Sequence, residues 1–432
     1  MRSSNRLYLV PLYCSLLWLH PQMLCAKTAA PVDQEDKPAE KEKAGFTVTE
    51  EVRDRELGAE EDPMAREQSD LVEKLVDVIV KPDELRAYGS LRIRYRETDA
   101  DSFWSDGGSR FGISGRTQYK PKHWLLGRVE VGINLLDTAD FLFNRGDRPP
   151  GSKIGDEIFQ RLLYLGIETP DINVTAGKNW STYYRVSSFT DRFQGTGASA
   201  SGTFNAGTDG GYTGTGRADR VIQTRGMINF FERASVLKPF NLNFQVQHGR
   251  PIPTVPDKSY KTTIGFSSVQ ETDHGVALGF AYNHANIDSN DLPDLNAVGI
   301  DGDATAAIIG ARWYGDDWYL GTVLARLKNH ENTDQAIFFD GTGWELYAQY
   351  NLHKQWWAVG GWNKLKPDGS ETQAGAYNID YGVIGLRYSF EGFRQMIFAN
   401  VRLESSTLQD GTELSNVYTC LLYTSPSPRD WI

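Results

Sequence analysis

Cysteine is nearly missing from this chain. Of 432 residues only three are cysteines: Cys14 and Cys25 in an apolar leader, and Cys420 near the C-terminus. A disulfide framework is excluded, and an exported form has to draw its stability from hydrogen bonds and packing. Long apolar runs are missing too. Beyond the leader no stretch approaches the eighteen or so residues that a membrane-spanning helix needs. The seven histidines, from His20 to His353, show no zinc-ligand spacing, and no Gly-x-Ser-x-Gly elbow occurs. No catalytic residue, metal ligand or cofactor is therefore assigned. A basic excess is also lacking: the net charge is −11, which argues against a nucleic-acid partner.

What is present points another way. Tyr, Phe and Trp make up 12% of the chain and glycines number 42. Abundant aromatics and glycines without apolar runs fit strands of which every second residue faces lipid, although a soluble sandwich or propeller shares part of that signature. Charge is unevenly placed. Residues 31–84 hold 18 acidic and 8 basic side chains, and the body from Leu85 onward is close to neutral. Arg2 and Arg6, the apolar stretch Leu7–Leu19 and small residues at Ala26, Ala29 and Ala30 make residues 1–30 a signal-peptide pattern. Residues 31–84 read as an acidic periplasmic spacer, with a short amphipathic helix at Ser69–Val80 ended by Lys81-Pro82.

From Leu85 the period becomes two. Leu85, Ala87, Gly89, Leu91, Ile93 and Tyr95 share one face; Arg86, Ser90, Arg92, Arg94 and Arg96 share the other. An arginine at mid-bilayer on the lipid side costs about 2–4 kcal/mol, so the arginine face of such a strand lines water. Arg110, Ser114, Arg116 and Gln118 oppose Phe111 and Ile113. Arg128, Glu130 and Asn134 oppose Val129, Val131 and Ile133. Phe240, Leu242, Phe244 and Val246 alternate with Asn241, Asn243, Gln245 and Gln247. The run Arg161–Ile167 alternates poorly and is apolar on both faces, as where a wall packs against another subunit.

Short turns alternate with long loops. Turns fall near Lys120–His123, Thr169–Asp171, Glu271–Asp273, Tyr314–Asp317, Leu352–Gln355 and Glu391–Phe393. Long loops fall near Asp137–Glu157, Tyr184–Gly216, Arg250–Lys258, Asp288–Gly302, His330–Gly341, Pro367–Gly375 and Ser406–Thr412. One rim of turns and one of loops fits a barrel crossing an outer membrane. Trp313, Tyr314, Trp318, Tyr319, Trp356, Trp357, Tyr388 and Phe390 sit at strand ends, as interfacial girdles do. The stretch Tyr184–Gly216 far exceeds the two to five residues that usually join strands. We read it as a loop folded into the barrel mouth, facing a wall of arginines.

Several motifs, in order and spacing, resemble the general diffusion porins of Gram-negative outer membranes. They are Ser109-Arg-Phe-Gly-Ile-Ser-Gly-Arg-Thr-Gln118, Arg161-Leu-Leu-Tyr-Leu-Gly-Ile167, Gly177-Lys-Asn179 with Phe189-Thr-Asp191, and Gly216-Arg217 with Arg225. The similarity spans about Leu85 to Thr419. It implies an all-β fold: a 16-stranded antiparallel transmembrane β-barrel with an inward-folded third loop. It also implies a homotrimer in outer-membrane lipid and lipopolysaccharide that passes small hydrophilic solutes and ions. By motif position Arg110, Arg161 and Arg217, with Arg92, form the basic wall of a constriction. Arg86, Arg94, Arg128 and Glu130 line the pore. Asp191, Asp209 and Asp219 are the acids available to the loop. The Pro-Glu-Phe-Gly-Gly-like segment usual in that loop is absent and Gln194–Asn205 stands in its place, so a weak or mildly anionic preference is expected.

Alternatives remain beside this one. The arginine face also fits a substrate-selective channel for anions, phosphate or sugars. Residues 31–84 also fit a tether to peptidoglycan. The acidic loop Asp288–Asp303 fits either divalent ions bridging lipopolysaccharide or a solvated loop. Finally, Cys420–Asp430 resembles an in-frame translation of a sequencing-library adapter. Residues 420–432 are therefore read as a non-native tail that truncates the last strand and leaves its neighbours partly unpaired.

Overall fold

The computed structural model describes residues 82–134, 136, 158–228, 237–390 and 395–424. The leader, the spacer up to residue 81 with its helix at Ser69–Val80, the loop at Asp137–Glu157, the turn at Glu391–Phe393 and the end of the tail lie outside the described residues. Seventeen strands follow one another in what is described. They are β1 (Glu84–Glu97), β2 (Ser102–Asp106), β3 (Arg110–Lys120), β4 (His123–Ile133), β5 (Ile158–Glu168), β6 (Ile172–Trp180), β7 (Arg217–Ile228), β8 (Phe240–Pro251) and β9 (Ser259–Glu271). Then come β10 (Val276–Ala285), β11 (Ala304–Tyr314), β12 (Trp318–Asn332), β13 (Phe338–His353), β14 (Trp356–Pro367), β15 (Ile379–Ser389), β16 (Gln395–Glu404) and β17 (Val417–Thr424).

Sixteen of these close a ring. From β3 to β17 each strand pairs antiparallel with the next. β1 pairs with β3 along Glu84–Ser90 and with β17 along Leu91–Glu97, which joins the ends. β2 is the extra element. It pairs with Ile93–Glu97 in line with β3, from which Gly107–Ser109 separate it. Closure matters because an unpaired backbone group in an apolar medium costs several kcal/mol.

The alternation in the sequence becomes an inside and an outside. On β8, Phe244 and Val246 are exposed while Asn243, Gln245 and Gln247 are buried. Large apolar side chains such as Leu278, Ile309, Leu324 and Ile384 stand on the outer surface, whereas Glu345, Asn363 and Arg402 are buried inside. Of the aromatics at the turn rim, Trp313 stacks edge-on against Trp318 at 4.1 Å, and Tyr388 lies between Trp356 and Phe390. Tyr319 departs from a girdle role: it is buried on the inner face. Trp357 also turns inward, onto the cavity described below.

Two expectations need correction. First, the last strand is not cut off at Thr419. β17 runs to Thr424, with Leu422 opposite Ile93 on one side and Ile397 on the other. Leu421 and Tyr423 point inward and Leu422 outward. Pro426 and Pro428, which would break a ladder, come only after it. Second, β5 does not owe its poor alternation to apolar faces. Its pairing with β4 shifts between Glu130 and Val131, opposite Leu162 and Gln160. The unmatched residue is Arg161. This bulge turns Arg161 and Leu162 inward together, both nearly fully buried, while Leu163 and Leu165 stay outside.

The 36 residues between β6 and β7 fill part of the interior. Only a segment inside the ring touches so many strands. The Arg96 guanidinium donates to the Gly195 carbonyl and Asn400 Nδ2 to that of Gln194. Tyr381 donates to Ser199 Oγ, and the Ser199 N–H to Asn363 Oδ1. Gln247, Gln245 and Asn283 donate to the carbonyls of Gly211, Gly214 and Thr213. The loop also needs room in the wall. Val186, Phe189, Phe193 and Ala200 settle over glycines on successive strands: Gly279, Gly310, Gly321, Gly343 and Gly361. A Cβ on Gly343 would overlap the Ala200 carbonyl oxygen, and one on Gly361 the Phe193 ring.

On the rim from which the inward loop leaves, the acidic loop between β10 and β11 is pinned down. Lys258 donates to Asp291 (2.8 Å) and Asp294 (2.7 Å), and Lys261 pairs with Asp288 at 2.8 Å. The hydrogen bonds it gives to Asp291 and Asp294 raise the Lys258 ammonium above the usual lysine range. Lys261 and the Asn290 N–H hold Asp288 below the usual carboxylate range. Leu295 and Ile300 of this loop pack with Ile252, Tyr260 and Phe338 in a small apolar cluster.

Candidate functional site: an arginine-lined lumen

A cavity of about 850 Å³ opens inside the ring. Among the described residues its lining holds eleven arginines and, as carboxylates, only Glu168, Asp191 and Glu271. β1 contributes Arg92 and Arg94, β3 Arg110, β4 Arg128, β5 Arg161, and β7 Arg217 and Arg225. The loop adds Arg185 and Arg192, and the far wall Arg312 on β11 and Arg387 on β15. Aromatic rings carry many of these planar cations: Arg92 lies over Tyr423 (4.2 Å), Arg217 over Trp180 (5.1 Å), Arg312 over Phe189 (5.0 Å) and Arg387 over Trp357 (4.5 Å).

Of the residues singled out in the sequence, Arg92, Arg94, Arg110, Arg128, Arg161, Arg217 and Asp191 meet on this lining. The others do not. Arg86 is exposed on β1, away from the cavity. Glu130 is buried behind the arginines. It accepts from Arg161 Nε at 2.9 Å, Arg128 Nη2 at 3.2 Å and the Tyr88 hydroxyl at 2.9 Å. Asp209 is on the loop but fully buried at its base. It pairs with Lys178 (2.8 Å) and Arg217 (3.6 Å) and accepts the Gly211 N–H. Asp219 is not on the loop. It sits in β7, where the pairing with β6 is irregular, and is gripped by both Arg250 nitrogens (2.7 and 2.6 Å) and by Gln247.

The reason is local. A carboxylate leaves water only with partners, and basic side chains stand beside both aspartates, Lys178 and Arg217 for one and Arg250 for the other. Their charge is spent at the root of the loop. Asp191 alone of the three borders the cavity, with the Tyr184 hydroxyl donating to it at 2.6 Å.

The sequence reading missed Arg185, Arg192, Arg312 and Arg387, and quoted Arg225 in a motif without placing it on the lining. Two of them had a usable signal: Arg312 precedes Trp313 and Arg387 follows Leu386, both outward, so period two places the arginines inside. Arg185 and Arg192 lie where no period exists. Their presence reverses the expected polarity, because the loop itself brings positive charge to the side facing the basic wall.

No protein-family model matches the sequence, and no similar curated protein was found. Among solved structures the chain is similar to OmpF of Salmonella typhi in complex with daunomycin (TM-score 0.62, 19% identity, 79% of this chain and 97% of that one). It is also similar to the outer membrane channel DcaP of Acinetobacter baumannii (0.57, 12%, 79% and 97%). A third is the anion-selective porin from Comamonas acidovorans (0.55, 15%, 78% and 98%). The chain has the porin fold: a closed sixteen-stranded antiparallel barrel with one long loop folded into its lumen.

Proposed function

We propose that this chain is a porin of the Gram-negative outer membrane, a water-filled channel for passive diffusion of small hydrophilic solutes that prefers anions. The observation that carries the reading is a closed ring, apolar outside, around a cavity with eleven arginines and three carboxylates on its lining. At an effective dielectric near 20, two unit charges 4 Å apart interact by about 4 kcal/mol. A lumen narrower than the roughly 8 Å Debye length at physiological salt is not fully screened. A bias of 1 kcal/mol at the narrowest point is a factor of about five, so we expect chloride to pass about fivefold more readily than potassium. Arg92, Arg110, Arg161 and Arg217 form the constriction wall in this reading. Arg185 and Arg192 face it from the loop, and the acids Asp209 and Asp219 contribute little. The chain assembles as a homotrimer within lipopolysaccharide-bearing membrane.

Reversal potentials across planar bilayers in a potassium chloride gradient test this. Changing Arg161 and Arg217 together to Ala should move the reversal potential toward cations and raise the permeation of bulky neutral sugars in liposome swelling. A double variant matching the parent in both would remove these two arginines from the constriction. Cation preference in the parent would overturn the selectivity.

A further inference from the structure

Arg192 is the loop cation furthest from any regular element, between Asp191 and Phe193, and a flexible side chain there does not orient itself. The structure gives it a platform. Its guanidinium centre lies 4.1 Å from the centroid of the Tyr319 ring. Tyr319, on the inner face of β12, is buried. Its hydroxyl donates to the Phe189 carbonyl at 2.8 Å, three residues before Arg192. The ring stands edge-on to Tyr347 at 5.9 Å, and Tyr347 meets Phe193 edge-on at 4.8 Å. Both neighbours of Arg192 in this aromatic array therefore have fixed places. Two residues along, Gly321 clears the way: a Cβ there would overlap the same Phe189 carbonyl.

We propose that Tyr319 tunes ion preference from behind the lining: its ring holds the Arg192 guanidinium at the lumen. The proposal rests on the channel reading above. Tyr319 is a positioning residue, acting through Arg192, because the cation lines the cavity and the tyrosine does not. Face-on contact is worth most for a guanidinium, which is planar and weakly hydrated. Phenylalanine keeps that contact; leucine does not.

The test uses the full chain in planar bilayers, with chloride-to-potassium permeability ratios from reversal potentials. Arg192→Gln should lower the ratio by about threefold, since a unit charge at the narrowest point is removed. Tyr319→Leu should lower it by about twofold, and Tyr319→Phe should leave it near the parent's. The double variant Tyr319→Leu with Arg192→Gln should equal Arg192→Gln alone, because no cation remains to be held. Additive losses, or a Tyr319→Leu ratio equal to the parent's while heat stability or total conductance changes, would overturn the proposal. If Tyr319→Leu does not fold, Tyr319→Met takes its place. If the parent does not conduct, the channel reading fails by itself. Tyr319 is then judged by a crystal structure of the leucine variant: Arg192 swung away from its place supports the proposal, and Arg192 unmoved overturns it.

Discussion

Replacing Gly343 by valine is expected to displace the inward loop while leaving the barrel closed. The overlap that a Cβ would make falls on the Ala200 carbonyl oxygen, a backbone atom that cannot rotate aside. Overpacking of this kind costs about 1–3 kcal/mol where neighbours resist. The β13 ladder to β12 and β14 is extensive, whereas the loop is held by separate hydrogen bonds, so the loop is what yields. The expected readout is a steady single-channel conductance about twice the parent's and faster swelling of liposomes in large sugars. A factor of two corresponds to well under 1 kcal/mol in the barrier to permeation, a small demand on a displaced loop. Heat-resistant assembly on gels should persist. Unchanged conductance would mean that the loop does not narrow the lumen at Ala200.

Removing the carboxylate two residues further on should give a different result. Glu345 accepts three hydrogen bonds from the loop: the Ala200 and Ser201 N–H groups, each at 2.8 Å, and the Thr190 hydroxyl at 2.5 Å. Glu345 is fully buried, and a buried donor left without an acceptor costs about 1–3 kcal/mol. Glu345→Ala strands three donors, roughly 3–9 kcal/mol in all before relaxation. Glu345→Gln keeps one carbonyl oxygen for the two amides and should lose much less. Alanine is therefore expected to produce a flickering channel, as the loop segment from Thr190 to Ser201 leaves and returns, and glutamine a nearly quiet one. Current noise separates the cases: valine at 343 moves the loop to a new fixed place, and alanine at 345 frees it. Equal noise in the alanine and glutamine variants would count against the carboxylate as an anchor.

Much of the barrel was legible in the sequence because a strand writes its environment at period two. Leu91 and Ile93 against Arg92 and Arg94, or Phe244 and Val246 against Asn243 and Gln245, need no partner to be read. The loop was legible only as an excess of length. What it does depends on pairs far apart in the chain, such as Ala200 with Glu345 or Ser199 with Asn363, and nothing in either segment announces the other. Charge on the loop was misjudged for the same reason. Asp209 and Asp219 look available until Lys178, Arg217 and Arg250 are seen beside them. Arg161 was found, but its bulge was not, since one extra residue in a ladder leaves no mark on composition. The last strand misled in the opposite way. The tail carries two prolines, yet Cys420-Leu-Leu-Tyr-Thr424 happens to alternate correctly and pairs on both sides.

The row of glycines beneath the loop has a consequence for how barrels of this fold diversify. Gly279, Gly310, Gly321, Gly343 and Gly361 leave a bare strip of backbone where other barrels of this width could carry interior side chains, and Val186, Phe189, Phe193 and Ala200 supply the missing bulk. Wall and loop are two halves of one mould. A loop grafted from here onto a barrel with ordinary residues at those five places would find its seat occupied, and a foreign loop grafted here would lie over an empty furrow. The unit that varies is thus a composite spread over five strands and the loop, and the two parts have to change in step.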